Sequence, residues 1–422
     1  MNRRPAAALA ALLAVSVLAG TASGETARSQ PAVATIKDAR ISDGVVKIGL
    51  LLDMSGPYAD NTGKASVAAA QMAIDDFGGK VLGAPIQLIV ADPKNSPDRA
   101  AELARDWFGP GHVDAVMDVS GSSEALIVQA IGHTRDKIVS LSAPLAVRLT
   151  NEGCSPTGIH YTMDTYAVAH TIAPAIVKMG GTSWFFVTVD NDFGYDLERN
   201  TADVVTASGG TVIGHARHPL NAPDFIPYLD QAQESHAKVI ALANAGTDTL
   251  NTIRTAAEKH MLSGAQTIAG LTLHANAIET LGLPTAQGMM LADAFYWDMN
   301  DATRAWSTRF FARAGKMPNS FQAGLYSSIT HYLQAIARTG TDATDPVMAA
   351  MRAAPINDFF AHNGHIRADG LMVHDMYLFR VKTPAESRSP WDVEKLLATV
   401  PTAQAFQPLN RSRCALVQPQ TE

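Results

Sequence analysis

Short apolar runs alternate with helix-period stretches along this chain, and the alternation comes in two successive series. Val45-Val46-Lys47-Ile48-Gly49-Leu50-Leu51-Leu52 is an apolar run of strand length that ends in the turn Asp53-Met54-Ser55-Gly56-Pro57, which predicts a buried strand. Val67, Ala70, Ile74 and Phe77 then recur at three- and four-residue steps and predict a helix stopped by Gly78-Gly79. Strands are expected at 86–91, 114–119 and 138–142, with helices at 97–108 and 123–134 between them. Such alternation means parallel β-α-β units and a doubly wound sheet. A second series opens with a strand at 184–189, an Asp-rich loop containing Gly194, and a helix at 195–207 that ends at Gly209-Gly210. Strands near 239–242, 265–269 and 289–292 continue it, and helices follow at 303–314 and 322–337. From Gly364 the pattern breaks into short strands and an irregular tail. Residues 78–83 and 209–214 both read G-G-[KT]-V-[LI]-G, each closing a helix and leading into a strand. At matching places in two series, this shared signature suggests two lobes of similar topology.

A length of 422 residues predicts two or three domains. Only 17% of residues are charged, which excludes charge-driven disorder. With 33 basic against 40 acidic residues and a net charge of -7, the chain lacks the basic excess of a nucleic-acid binder. A mean hydropathy of +0.02 raises the question of a membrane segment, and the N-terminus answers it. Arg3 and Arg4 precede an apolar run from Ala6 to Leu18, followed by Ala22-Ser23-Gly24. That order is expected of a cleaved signal peptide over residues 1–24, with a flexible polar segment at 25–44. The run falls short of the ~20 residues needed to cross a bilayer. Thr21 stands where a lipoprotein would carry cysteine, and Pro5 follows the arginine pair outside any twin-arginine consensus. Export without a lipid anchor is therefore expected. Cys154 and Cys414, an even count in an oxidising compartment, suggest one disulfide pinning the tail to mid-chain; the alternative is two separate buried thiols.

No enzyme motif is found. Gly121-Ser122-Ser123-Glu124-Ala125 lacks the closing glycine of a nucleophile elbow, and there is no H-E-x-x-H, Walker loop or G-x-G-x-x-G. The H-x-x-H pairs His215/His218 and His362/His365 have no third ligand nearby, so no metal or other cofactor is expected. Polar loops after strand ends are more informative, because open α/β sheets bind ligands beyond the carboxyl ends of their strands. Ser120-Gly121-Ser122-Ser123 follows a strand and opens a helix, which suits either a bound carboxylate or plain N-capping. Asp190-Asn191-Asp192-Phe193-Gly194 and Asn244-Ala245-Gly246 hold the corresponding places in the second series. Tyr58 and Phe193 are candidate ligand contacts or packing aromatics.

Asp53-Met54-Ser55-Gly56-Pro57-Tyr58, the helix ending Ala73-Ile74-Asp75-Asp76-Phe77-Gly78-Gly79, Val81-Leu82-Gly83, the serine loop, Leu141-Ser142-Ala143, Asp192-Phe193-Gly194 and Phe295-Tyr296-Trp297-Asp298 together resemble periplasmic solute-binding proteins of branched-chain amino acid ABC transporters. The resemblance runs from about Val45 to the C-terminus. It implies an α/β type I periplasmic binding protein, two doubly wound lobes joined by a three-crossing hinge. Lobe one would take 45–160 and 290–372; lobe two would take 161–289 and 373–422. By the same resemblance a ligand carboxylate would meet Ser122, with Ser123, Leu145 and Ala146 nearby. Phe193, Gly246 and Thr272 fall where amino-acid binders place the groups that meet the ammonium, and none carries a charge. This favours a neutral-headed or aromatic carboxylate over a standard amino acid. Pro144 cannot donate an N–H, and Arg148 is either a countercharge, if it turns inward, or a surface residue. The implied role is a monomeric periplasmic component that hands a small solute to an inner-membrane permease. A signalling receptor of the same fold and an exported hydrolase using Ser122 or Ser123 are the competing readings.

Overall fold

The structure is a computed structural model that describes residues 40–263 and 266–417. The expected signal peptide and the segment up to residue 39 lie outside the described residues. The chain opens with β1 (Val46–Leu51), α1 (Gly63–Asp76), β2 (Lys80–Val81), β3 (Ala84–Ala91), α2 (Pro97–Phe108), β4 (Ala115–Val119), α3 (Ser122–Thr134), β5 (Ile138–Leu141) and β6 (Gly158–His160). It continues through α4 (Thr165–Lys178), β7 (Ser183–Val189), α5 (Asp192–Ala207), β8 (Thr211–His218), α6 (Ile226–Glu234), β9 (Val239–Ala243), α7 (Thr247–Glu258), β10 (Thr267–Gly270), α8 (Ala275–Leu281), α9 (Leu283–Ala286) and β11 (Met290–Asp293). Next come α10 (Asp301–Ala314), α11 (Ser320–Thr339), α12 (Thr344–Ala353), the small hairpin β12 (His365–Ile366) and β13 (Met372–Val373), then β14 (Met376–Val381), β15 (Glu394–Val400) and α13 (Thr402–Ala405).

The apolar run of β1 has a direct cause: both of its faces are covered. Ile48 and Leu50 enter a core with α1, whereas Leu51 enters a separate one with Trp107 and Phe108 of α2. Gly49 is required by that packing, since a Cβ there would lie 2.6 Å from the Trp107 ring. The first lobe's sheet runs β2-β3-β1-β4-β5-β6, parallel except for β2, and the second runs β10-β9-β7-β8, all parallel. In each lobe the first strand of the series lies between the second and the third. The order therefore reverses between β1 and β4 and again between β7 and β9, and loops diverge there to leave a crevice at the carboxyl ends.

Strand β11 stands outside both parallel sheets. It pairs antiparallel with β14, which also pairs with β15, and the next helices, α10 and α11, pack on α1. Residues 161–164 link β6 to α4, 294–300 link β11 to α10, and 374–375 link β13 to β14. His374 ties two of these passages together, with Nε2 2.5 Å from the Thr162 carbonyl and Nδ1 2.7 Å from that of Asp375. The two cysteines form a disulfide, Cys154–Cys414, across a sequence separation of 260. Beside it Arg413 donates its main-chain N–H to Asn151 Oδ1 at 2.9 Å, so the tail is held against the segment that follows Arg148. No described helix is long and apolar enough to cross a membrane.

Candidate functional site

The loop after β1 is organised by buried Asp53. Its Oδ1 accepts the N–H groups of Gly56 at 2.5 Å and Ser55 at 3.2 Å; its Oδ2 accepts from the Tyr58 N–H at 2.9 Å and Asn95 Nδ2 at 2.8 Å. Asp53 in turn donates its own N–H to Ser120 Oγ at 2.8 Å, so the loops after β1 and β4 hold one another. Beneath them Asp118, on β4, accepts from Val119, Ser142 and Ala143 N–H at 2.9, 3.0 and 3.0 Å through Oδ1 alone. Burial pushes its carboxyl up to about 7. Ser122 opens α3 and its Oγ accepts the N–H groups of Leu145 and Ala146, both at 3.2 Å. With both lone pairs engaged, the hydroxyl proton is left to donate.

Between these loops and those after β7, β9 and β10 lies a cavity of about 230 Å³. The first lobe supplies Tyr58, Asn61, Ser120, Ser122, Glu124, Leu145 and Phe321 to its wall; the second supplies Asn191, Phe193, Leu220, Ala245, Thr272 and His274. The lobes touch around its rim. Ser123 Oγ donates to Asp192 Oδ2 at 2.9 Å, and Arg148 pairs with the same carboxylate at 2.5 Å. Asn191 Nδ2 donates to Tyr58 Oη at 3.3 Å, Thr247 N–H to the Pro57 carbonyl at 2.9 Å, and Asn276 Nδ2 to Asp60 Oδ2 at 2.6 Å.

The wall carries one acid and no Lys or Arg among the described residues. Glu124, at the third position of α3, folds its carboxyl back over the helix start, and a Cβ on Gly121 would come within 2.1 Å of Glu124 Oε2. Glycine at this cap is thus a consequence of close approach. Burial raises the Glu124 carboxyl above its ordinary range, its own N–H opposes this, and the charges of Asp53 and Asp192 raise it further. Burial likewise raises the Tyr58 hydroxyl. Opposite stands His274, 1% exposed, with Nδ1 2.7 Å from Asp293 Oδ2 and its ring edge-on to Phe321 at 4.8 Å.

Of the residues expected from sequence, Tyr58, Ser122, Ser123, Leu145, Phe193 and Thr272 meet around this cavity. Thr272 spends its hydroxyl on the Asn244 carbonyl at 2.7 Å. Two are not on the wall. Ala146 is fully buried behind it, with its N–H on Ser122, and Gly246 faces the other lobe, where a Cβ would lie 2.1 Å from the Pro57 carbonyl oxygen. Arg148 turns to the rim. Sequence reasoning passed over Glu124, although an acid three residues after a helix cap is a recognisable signal. It also passed over Asn61, His274 and Phe321, and it had Asn191 only as part of a polar loop; the His274–Asp293 contact joins the loop after β10 to the end of β11 with no local pattern. His215 and His218 fall on opposite faces of β8, and no cluster of three or more metal-ligating side chains occurs among the described residues.

Two doubly wound lobes, joined by three passages and closed over a cavity at both switch points, define a type I periplasmic binding protein. A profile of the periplasmic binding protein family matches residues 45–387, and the chain belongs to that family. A periplasmic binding protein from Burkholderia mallei is 46% identical over 89% of this chain and 100% of its own, with a TM-score of 0.87. A branched-chain amino acid ABC transporter periplasmic ligand-binding protein from Burkholderia xenovorans is 36% identical over 88% of this chain and 100% of its own, TM-score 0.79. An amino acid ABC transporter substrate-binding protein from Pseudomonas fluorescens, at 22% identity over 88% of this chain and 99% of its own, shares the fold at a TM-score of 0.79. Among curated proteins none matches.

Proposed function

We propose that this protein, exported through residues 1–24 without a lipid anchor, acts as a monomer. In this reading it captures a small carboxylate-bearing solute with an apolar body and presents it to a membrane permease by lobe closure. The supporting observation is Ser122. Its hydroxyl keeps a proton to donate after accepting two main-chain N–H groups, at the start of a helix that no side chain caps. An anion is favoured at such a place by the unpaired N–H groups and the helix dipole. Phe193, Phe321, Leu145 and Leu220 supply apolar wall for the rest of the solute. The 36% identical relative described as a branched-chain amino acid transporter component supports the same class. Capture needs no cofactor and no chemistry. Ser122 accepting two N–H groups and Ser123 donating to Asp192 are built to hold, not to attack. The permease role rests on family kinship, and a signalling receptor remains the competing use of the same cleft.

Glu124 decides which carboxylate is taken. A simple aromatic or aliphatic acid beside it disfavours its ionised form, so binding takes up a proton and affinity falls as pH rises. An amino acid whose ammonium meets Glu124 favours the ionised form, so binding releases a proton and affinity rises with pH. Titration calorimetry of benzoates, cinnamates and branched-chain amino acids between pH 5 and 8 tests both. Thermal shift gives a parallel check, since ligand at 100 times its Kd adds about 2.7 kcal/mol. Absence of binding across the panel would leave the carboxylate reading unsupported.

A further inference from the structure

The cavity has a second polar pole that the carboxylate end does not use. His274 Nε2 is buried, has no hydrogen-bond partner, and belongs to a side chain on the cavity wall. Its other nitrogen lies 2.7 Å from Asp293 Oδ2, while Asp293 Oδ1 accepts the Ala294 N–H at 2.7 Å. An ionised carboxylate only accepts hydrogen bonds, so Nδ1 carries the proton, and in the neutral ring Nε2 is left with a lone pair. Asp293 ends β11 and Phe321 opens α11, so the ring is clamped between the second lobe's sheet and a first-lobe helix. A buried acceptor without a donor is costly, and a site built around one discriminates strongly for a ligand that supplies the donor.

Resting on the carboxylate reading above, we propose that His274, positioned by Asp293, is a specificity-determining residue. It accepts a hydrogen bond from an O–H or N–H at the ligand's distal end, so that the preferred solute is a carboxylate with a donor group opposite. Ser122 then holds one end and His274 the other, with the apolar wall between.

The test uses the full chain and matched probes of two lengths: benzoate with 4-hydroxybenzoate and 4-aminobenzoate, and phenylacetate with 4-hydroxyphenylacetate. Calorimetry should show each donor-bearing member binding about tenfold or more tighter than its parent. In His274→Phe that advantage, read as the ratio of each donor-bearing probe to its own parent in the same variant, should fall to within about twofold; His274→Leu serves if the phenyl ring does not fit. The hydroxyl and amino arms separate O–H from N–H donors. Ring nitrogen shifts in 15N NMR should report an Nδ1–H tautomer, and Asp293→Asn should alter that signature together with the donor advantage. Parents that bind without any gain from the donor, a gain that survives in both His274 variants, or an Nε2–H tautomer would each overturn the pole alone. Failure of every probe to bind would overturn the carboxylate reading and the pole with it.

Discussion

Replacing Gly246 by alanine should weaken ligand binding by a mechanism that involves no ligand contact. Gly246 sits at φ +60°, and a Cβ built there lies 2.1 Å from the Pro57 carbonyl oxygen and 3.3 Å from Tyr58 Cδ1. Pro57 belongs to the first lobe and Gly246 to the second, so the clash exists only when the lobes meet. Relieving it means drawing the loops apart by about 1 Å, since heavy atoms do not settle much below van der Waals contact. That breaks the two hydrogen bonds from Thr247 to the Pro57 carbonyl, at 2.9 Å from N–H and 3.2 Å from Oγ1. At about 1 kcal/mol each, the closed form loses about 2 kcal/mol, which is roughly a 30-fold loss of affinity. Backbone strain at positive φ is a separate cost, about 1–3 kcal/mol, and acts whether the lobes are open or closed. Gly209→Ala isolates it, because Gly209 has φ +88° and nothing within 4 Å of the added carbon. Both variants should lower Tm without ligand, but only Gly246→Ala should lose affinity in calorimetry and remain open in ligand-saturated X-ray scattering. Affinity for Gly246→Ala within about threefold of the parent would refute the reasoning.

Reducing Cys154–Cys414 should lower Tm markedly, because the loop-entropy model assigns up to ~5 kcal/mol to a closure of this length; a thiol titration of the unreduced, denatured chain should find no free SH. Burial pushes the Asp118 carboxyl up to about 7 in the fold, against ~3.9 for a free aspartate. A raised pKa means its contribution is fully present below pH ~4 and lost as pH rises toward 7. Asp118→Asn removes that dependence, so its Tm relative to the parent should climb between pH 4 and 7, and a flat difference would contradict the assignment. Arg148→Ala should cost under tenfold in affinity and lose that effect in high salt, since the pair it makes with Asp192 is 46% and 34% exposed.

The sequence period reveals most of the fold because buried parallel strands must be continuously apolar and their helices amphipathic. β1, β4, β7 and β9 all fall within a residue or two of where the pattern puts them. What the period does not show is the pairing of β11, which is only four residues long and whose antiparallel partner β14 lies more than 80 residues away. Nothing local marks such a pairing. The candidate site divides in the same way. Ser122, Ser123 and Phe193 open helices directly after strands, where position along the chain implies position in the cleft. Gly246 looked like a ligand residue because it also follows a strand, yet its missing side chain serves the approach of Pro57. His274 is meaningful only once Asp293 stands behind it.

This division bears on how closure is driven. The rim contacts, Arg148 and Ser123 on Asp192, Asn191 on Tyr58, and Asn276 on Asp60, join polar groups of which several stay partly exposed. When the lobes part, water can take over those bonds, so each adds little to the closed form. The groups that water serves poorly are inside: the spare proton of Ser122, the carboxyl of Glu124 and the bare Nε2 of His274, set in an apolar wall from both lobes. A solute that satisfies them stabilises the closed arrangement over the open one, and only such differential contact can shift the hinge equilibrium. Specificity and closure are then the same free energy. A solute that leaves Nε2 unmet binds more weakly and, by the same amount, fails to hold the lobes together.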